Sequence, residues 1–135
     1  MRLHTRSMGT FFTECRIENP ADRSRFFVVL NLLVDTGSEC TWAPKQLLEE
    51  IGVGREKDVS FVLANGQEIT RSVGFAIVRL DGRFTVDEVV FAEPGDLLLL
   101  GARTLEGLNL TVDSARQRLL GAGPLPAAAP LRGRR

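Results

Sequence analysis

An apolar segment that runs directly into an acidic turn is the feature that most constrains this chain. Residues 26–34 read Phe-Phe-Val-Val-Leu-Asn-Leu-Leu-Val and are followed at once by Asp35-Thr36-Gly37-Ser38. This composition is typical of a core strand, and a carboxylate at its end loses hydration that hydrogen bonds must replace. We therefore expect burial of all its apolar side chains: Phe26, Phe27, Val28, Val29, Leu30, Leu32, Leu33 and Val34.

The turn contains the residues needed to hold that carboxylate. Gly37 allows a tight turn that brings backbone N–H groups toward Asp35, and the Ser38 hydroxyl can donate to the same group. Thr36 adds a second hydroxyl, which we expect to face inward. An ordinary strand-end Asp that only accepts backbone hydrogen bonds is the alternative interpretation.

Two further patterns follow in order along the chain. Residues 61–69 read Phe-Val-Leu-Ala-Asn-Gly-Gln-Glu-Ile, and the Asn65-Gly66 pair is suited to a tight hairpin turn. Leu97-Leu98-Leu99-Leu100-Gly101 then precedes a short helical pattern over residues 102–108. Asp-Thr-Gly alone arises by chance in many proteins, so the interpretation depends on all three patterns occurring in this order.

Residues 9–120 resemble the retropepsin-like aspartic proteases, most closely the short members with a single Asp-Thr-Gly found in viruses and bacteria. The resemblance implies an all-β fold, a closed retropepsin-like β-barrel with one or two short helices. It implies that Asp35 is catalytic and that residues 61–69 form a flap over the substrate. It also assigns active-site support to Thr36, Gly37, Ser38 and Gly101, and substrate contacts to Glu39, Cys40, Trp42, Ala64, Asn65 and Gly66.

A single Asp-Thr-Gly sets the mechanism and the oligomeric state. Peptide hydrolysis without a metal or a covalent nucleophile needs one carboxylate to take a proton from water and a second acid to protonate the carbonyl oxygen. The second Asp35 must therefore come from another copy, which predicts a C2 homodimer. By the resemblance, Thr36 hydroxyls lock the two turns together and Gly37 holds the substrate backbone. Ser38 favours ionisation of Asp35 and so lowers the pH optimum.

Three positions depart from the viral pattern. Glu39 and Cys40 replace an acidic pair, which would leave Cys40 and Trp42 to line an apolar pocket. Ala102 stands where viral members carry an Arg that ties the subunits together, and Arg103 is the candidate to replace it. Trp42 has a second interpretation, as a cap on the following helix.

Composition excludes several other function classes. The 135 residues are 44% hydrophobic with zero net charge, which indicates one compact domain and gives no basic surface for nucleic acid. Two cysteines and one histidine are too few for a disulfide framework or a zinc site, so we expect no cofactor or metal. No segment has the apolar length of a membrane span or a signal peptide, and we expect a cytoplasmic protein with no membrane partner.

The remaining sequence predicts tails and short elements. Residues 1–8 and 121–135 lack periodicity and are expected to be flexible or disordered, leaving residues 9–120 as the domain. Alternation over residues 9–18 predicts a half-buried strand with Glu14, Arg16 and Glu18 on the solvent side. Pro44 is expected at the first position of a helix over residues 45–51.

Two other functions remain open at this point. The main rival to a protease is a binding or assembly module that keeps the fold without the activity, since a fold does not guarantee a function. A small-ligand β-barrel is the third possibility, and it requires none of the three patterns. The Asn65-Gly66 turn is also compatible with a generic hairpin.

Overall fold

The computed structural model describes residues 10–130, and within that range the chain forms nine strands and two short helices. The strands are β1 (Phe12–Asn19), β2 (Asp22–Val34), β3 (Thr41–Pro44), β4 (Lys57–Val62), β5 (Glu68–Leu80), β6 (Arg83–Ala92), β7 (Leu99–Leu100), β8 (Leu110–Asp113) and β9 (Arg118–Gly121). The helices are α1 (Lys45–Glu50) and α2 (Ala102–Gly107). The predicted tail over residues 1–8 lies outside the described residues.

The main sheet closes on itself. Its strand order is β1-β2-β7-β3-β6-β5-β4, and β1 also pairs with β5, so six strands form a ring and β4 extends from it. Two of the pairings, β2 with β7 and β3 with β6, are parallel. These findings confirm the predicted all-β class with two short helices and a closed, ring-like sheet.

The ring encloses the hydrophobic core, which α1 and α2 complete. Fully buried side chains from strands on all sides of the ring meet there, together with Leu48 of α1 and Leu105 of α2. The strand residues include Ile17, Leu32, Val78, Val89, Phe91 and Leu100. Residues 122–130 form no helix or strand, although Ala122 N–H donates to the Asn109 carbonyl at 2.9 Å.

The burial of β2 differs from the sequence prediction. Val29, Leu32 and Val34 are buried, but Phe26 and Val28 are each 43% exposed and Leu30 is 72% exposed. The reason is that β2 has one face on the core and one on the outside of the ring. A register shift against β1 places an extra β2 residue between the pairs Cys15–Val29 and Thr13–Leu32, so both of those β2 residues face inward.

Helix α1 begins at Lys45 as predicted and ends at Glu50, one residue before the predicted end. Pro44 is the last residue of β3 and occupies the N-cap position instead of the first helical position. The hairpin between β1 and β2 supports the other end of this helix. The Asn19 side-chain amide donates to the Ile51 carbonyl, and Arg25 donates to the Glu50 carbonyl, each at 2.8 Å. These contacts satisfy carbonyls that a helix end leaves without partners.

Glu18 is on the predicted outer side of β1 but is only 1% exposed, so the prediction of a solvent position is wrong. Arg79 of β5 donates two hydrogen bonds to its carboxylate at 2.7 and 3.2 Å, and Arg16 Nε lies 2.8 Å from it. The hydrogen bonds from Arg79 hold the pKa of Glu18 below its ordinary value. This ion pair joins the two strands at which the ring closes.

We expect Glu18→Gln to lower the free energy of unfolding by about 2 kcal/mol at pH 7, because a charge-assisted bidentate pair is lost. The lowered pKa makes this contribution present above the ordinary carboxyl pKa and removes it as pH falls through the folded value. Urea unfolding at pH 7 and pH 3 checks this, with exposed Glu14→Gln on the same strand as the control. If Glu18→Gln lowers the unfolding free energy by the same amount at pH 7 and pH 3, the ionised pair is not the cause of the loss.

Candidate active site

The Asp35 turn begins where β2 ends. The Gly37 N–H donates to Asp35 Oδ1 at 2.9 Å, so the glycine turn brings an amide to the carboxylate. The Asp35 N–H donates to the Leu100 carbonyl at 3.1 Å, and the Ser38 N–H closes the turn on the Asp35 carbonyl at 3.2 Å. The carboxylate is partly exposed and is therefore accessible to water.

Two hydroxyls of this turn lie elsewhere than the sequence indicated. The Ser38 hydroxyl donates to the Cys40 carbonyl at 3.2 Å, and because it has one proton it cannot also donate to Asp35. Thr36 is exposed in the single chain rather than inward-facing. The Ser38 hydroxyl therefore does not make the hydrogen bond to Asp35 on which its expected effect on ionisation depends.

The segment around Gly101 lies directly behind the turn. The Ala102 N–H donates to the Ser38 carbonyl at 2.8 Å, and the Arg103 N–H donates to the Glu39 carbonyl at 3.0 Å. A Cβ atom on Gly101 would lie only 2.4 Å from the Cys40 carbonyl oxygen. Glycine is required here because the two backbones are in contact.

Asp35 lies at the edge of a cleft of about 770 Å³. Its opposite wall is the hairpin of β4 and β5, whose tip has Gly66 at φ 87° and a Gly66 N–H to Leu63 carbonyl hydrogen bond of 2.8 Å. Of the predicted substrate contacts, four line the cleft: Glu39, Cys40, Trp42 and Ala64. Asn65 and Gly66 are not part of this lining, because they form the hairpin tip beyond it.

The floor of the cleft is apolar. Trp42 lies in β3, is 7% exposed and packs on Phe61 of β4 with a ring separation of 5.0 Å. Leu99 and Val73 complete this surface. Because Pro44 occupies the N-cap of α1, Trp42 belongs to the cleft and does not cap the helix.

Comparison with known proteins agrees with this geometry. A family model described as aspartyl protease, of the retropepsin-like clan, matches residues 28–104. The chain belongs to this family. No curated protein matches it with significant similarity. Family membership supports a peptidase that hydrolyses peptide bonds and acts on peptide substrates.

One end of the cleft carries charged residues, of which the sequence did not single out Lys57 and Glu88. Lys57 Nζ lies 2.9 Å from Glu88, and Arg103 lies 3.5 Å from Glu88 and 3.4 Å from Glu39. Arg103, the residue expected to tie the subunits together, therefore pairs with Glu39 of its own chain, next to the Asp35 turn. These residues are partly exposed, so each pair contributes little to stability, and their effect is to set the charge of this wall.

A second ion pair joins the hairpin of β4 and β5 to the loop before β7. Arg71 of β5 donates two hydrogen bonds to Asp96 at 2.7 and 2.9 Å, and the Glu93 N–H donates to the same carboxylate at 2.8 Å. Hydrogen bonds from Arg71 hold the pKa of Asp96 below its ordinary value. The loop before β7 is thus tied to strand β5.

Cys40 is the one nucleophilic thiol among the described residues that line this cleft. Burial raises its pKa, so the thiol is largely protonated at neutral pH and unsuited to nucleophilic attack. Within residues 10–130, no three His, Cys, Asp or Glu side chains come together as a metal site. None of the described helices is long and apolar enough to cross a membrane.

We expect Cys40→Ala to keep kcat for peptide cleavage within about threefold of the wild type, since the protonated Cys40 thiol is unsuited to nucleophilic attack. The loss of packing at a buried position costs about 1 kcal/mol of stability. Steady-state kinetics with one peptide substrate measures the first effect, and thermal unfolding the second. Complete loss of cleavage in a folded Cys40→Ala protein would indicate thiol chemistry instead.

Proposed function

We propose that this chain is an aspartic endopeptidase in which the Asp35 carboxylates of two identical chains activate one water molecule. The observation that carries the proposal is the position of Asp35, held by its glycine turn at the edge of a substrate-sized cleft. The family match includes this residue, and the sequence contains one Asp-Thr-Gly.

The reaction needs one proton shared between the two carboxylates. Like charges at short distance oppose double ionisation, so one Asp35 is protonated while the other is a carboxylate. The carboxylate removes a proton from water as the water attacks the peptide carbonyl, and the protonated Asp35 donates to the carbonyl oxygen. The Asp35 that took the water proton then donates it to the nitrogen of the tetrahedral intermediate as the C–N bond breaks, and a hydroxyl of that intermediate returns a proton to the other Asp35. The products are a carboxylic acid and an amine, and the pair again shares one proton.

Exposure of the turn supports the proposed dimer. Thr36 and Gly37 are exposed, and Asp35 is partly exposed, so the turn is free to meet the same turn of a second chain. A twofold axis there would make the contact self-complementary and bring the two carboxylates together. In this dimer the Thr36 hydroxyls face the partner turn.

The flap hairpin supports an extended substrate. β4 is the last strand in the sheet order and, within residues 10–130, pairs only with β5, so its other edge can offer backbone groups to a peptide beside the cleft. A peptide strand can add to such an edge while its side chains enter the cleft alternately. Trp42, Phe61 and Leu99 would then contact apolar side chains of the substrate.

The test is cleavage of a diverse peptide library from about pH 3 to 8, with Asp35→Asn as the matched control. Cut sites that appear with the wild type and disappear with the variant support the proposal. Light scattering at micromolar concentration gives the mass of the same sample. A folded monomer that cuts no peptide would instead favour a binding or assembly module.

Cytoplasmic localisation stays a prediction.

A further inference from the structure

A buried chain of hydrogen bonds lies behind the catalytic turn. The Gly101 N–H donates to Thr41 Oγ1 at 3.0 Å, Thr41 Oγ1 lies 2.6 Å from Thr104 Oγ1, and the Thr104 hydroxyl donates to Asp87 Oδ2 at 3.0 Å. Thr41 and Thr104 are both 0% exposed. These contacts join β3, β6 and α2 at one point.

The direction of this chain follows from counting protons. Each threonine hydroxyl has one proton, and that of Thr104 is given to Asp87. Thr41 must therefore donate to Thr104, which leaves the Thr41 oxygen free to accept the Gly101 N–H. The Asp87 carboxylate, which can only accept when ionised, fixes the orientation of both hydroxyls.

The same chain of hydrogen bonds reaches the Asp35 turn through Gly101. The Leu100 carbonyl on one side of Gly101 accepts the Asp35 N–H, and the Ala102 N–H on the other side donates to the Ser38 carbonyl. Movement of Gly101 would therefore move both ends of the turn. One side of Gly101 lies against the Cys40 backbone. The Gly101 N–H is held by the hydroxyl of Thr41 in β3.

We propose that Asp87, Thr104 and Thr41 are positioning residues that fix the Asp35 carboxylate through Gly101. This inference rests on the proposed function, because it assigns the chain to a reaction at Asp35. A fixed turn matters because two carboxylates that share a proton must keep a short, constant separation. Sub-ångström precision in placing a reacting group strongly affects rate.

The separation of the two carboxylates also sets the pH profile. Repulsion between them raises the second apparent pKa of the pair, and the shared proton, which hydrogen-bonds the single carboxylate, lowers the first. If the turn loosens, the mean separation grows and the two apparent pKa values approach each other. The bell-shaped profile of kcat/KM then becomes narrower, and at pH values where the variant stays folded a change in global stability does not produce this effect.

Thr104→Val tests the inference because it keeps the shape of the side chain and removes the hydroxyl. We expect kcat to fall about tenfold with KM little changed, and the pH profile to narrow. Thr104→Ser restores the hydroxyl and should restore both. Thr111→Val, at an exposed position of β8, is the control for the chemical change itself.

Amide hydrogen exchange by NMR gives a readout that does not need activity. In Thr104→Val we expect exchange at the Gly101, Asp35 and Ala102 amides to become about tenfold faster relative to Val78 in the core. Unchanged exchange at these amides would overturn the inference, as would faster exchange with wild-type kcat and pH profile. A wild-type protein that cleaves no peptide would instead refute the proposed function, and with it any role of these residues in catalysis. Amide exchange would still show whether Thr104 supports the Asp35 turn.

Discussion

Replacing Asp35 by Asn should lower kcat/KM for peptide cleavage by about a thousandfold, with folding unchanged. The amide is nearly isosteric with the carboxyl group, and its oxygen can still accept the Gly37 N–H. It cannot take a proton from water, and both members of the proposed pair are lost together in a homodimer. General acid and base catalysis by such groups is worth about two to four orders of magnitude.

Mixing wild-type and Asp35→Asn protein tests whether the two carboxylates of the proposed pair come from different chains. At fixed wild-type concentration, a ninefold excess of Asp35→Asn should lower activity about tenfold, because most wild-type chains then pair with an inactive partner. Asp81→Asn, in the turn between β5 and β6 and away from the cleft, is the matched control and should not inhibit. Failure of Asp35→Asn to inhibit would show that one chain is active alone.

Gly101→Ala should have the next largest effect. The added methyl group would lie 2.4 Å from the Cys40 carbonyl oxygen, 2.5 Å from its carbon and 2.8 Å from the Glu39 oxygen. All three are backbone atoms of the segment after the Asp35 turn, so no side-chain rotation can relieve the clash. We expect a loss of about 3 kcal/mol in unfolding free energy, since forced overpacking moves backbone.

Activity and stability together identify the cause of the Gly101→Ala effect. The rate of cleavage should fall by a larger factor than the fraction of folded protein. The reason is that the displaced backbone directly follows the Asp35 turn, and the Leu100 carbonyl beside Gly101 accepts the Asp35 N–H. Gly54→Ala provides the comparison: its added carbon meets nothing closer than Glu56 Oε2 at 3.8 Å, and we expect a change below about 0.5 kcal/mol. Equal effects of the two substitutions in urea unfolding would contradict the packing argument.

The fold could be predicted largely because its strands and turns are local. Gly66 at φ 87°, and Asp81 and Gly82 at φ 52° and 76°, provide the positive φ angles of the two hairpin turns, and both hairpins form where the sequence places them. β2 shows the limit of this reasoning. Its residues are apolar on both faces, so no alternation marks Phe26 or Leu30 as outward-facing, and the strand looked uniformly buried.

The parts of the site that escaped prediction depend on distant pairings. Thr41 meets Thr104, whose hydroxyl in turn donates to Asp87, because β3 runs parallel to β6, and β3 has only four residues, one of them proline. No local pattern indicates such a strand. The Ser38 hydroxyl had two acceptors within one turn, and sequence alone does not fix which one it reaches. Lys57 and Glu88 likewise meet only after β4 and β6 take their places beside β5.

The closing of the ring between β1 and β5 has a consequence for synthesis. Glu18 and Arg79 are separated by 61 positions, so at about 5–20 residues per second β1 waits roughly 3–12 s on the ribosome for its partner strand. During that interval the edge of β1 that later pairs with β5 is unpaired. An unpaired strand edge can pair with another chain, so we expect the nascent chain to be prone to aggregation until β5 leaves the ribosome.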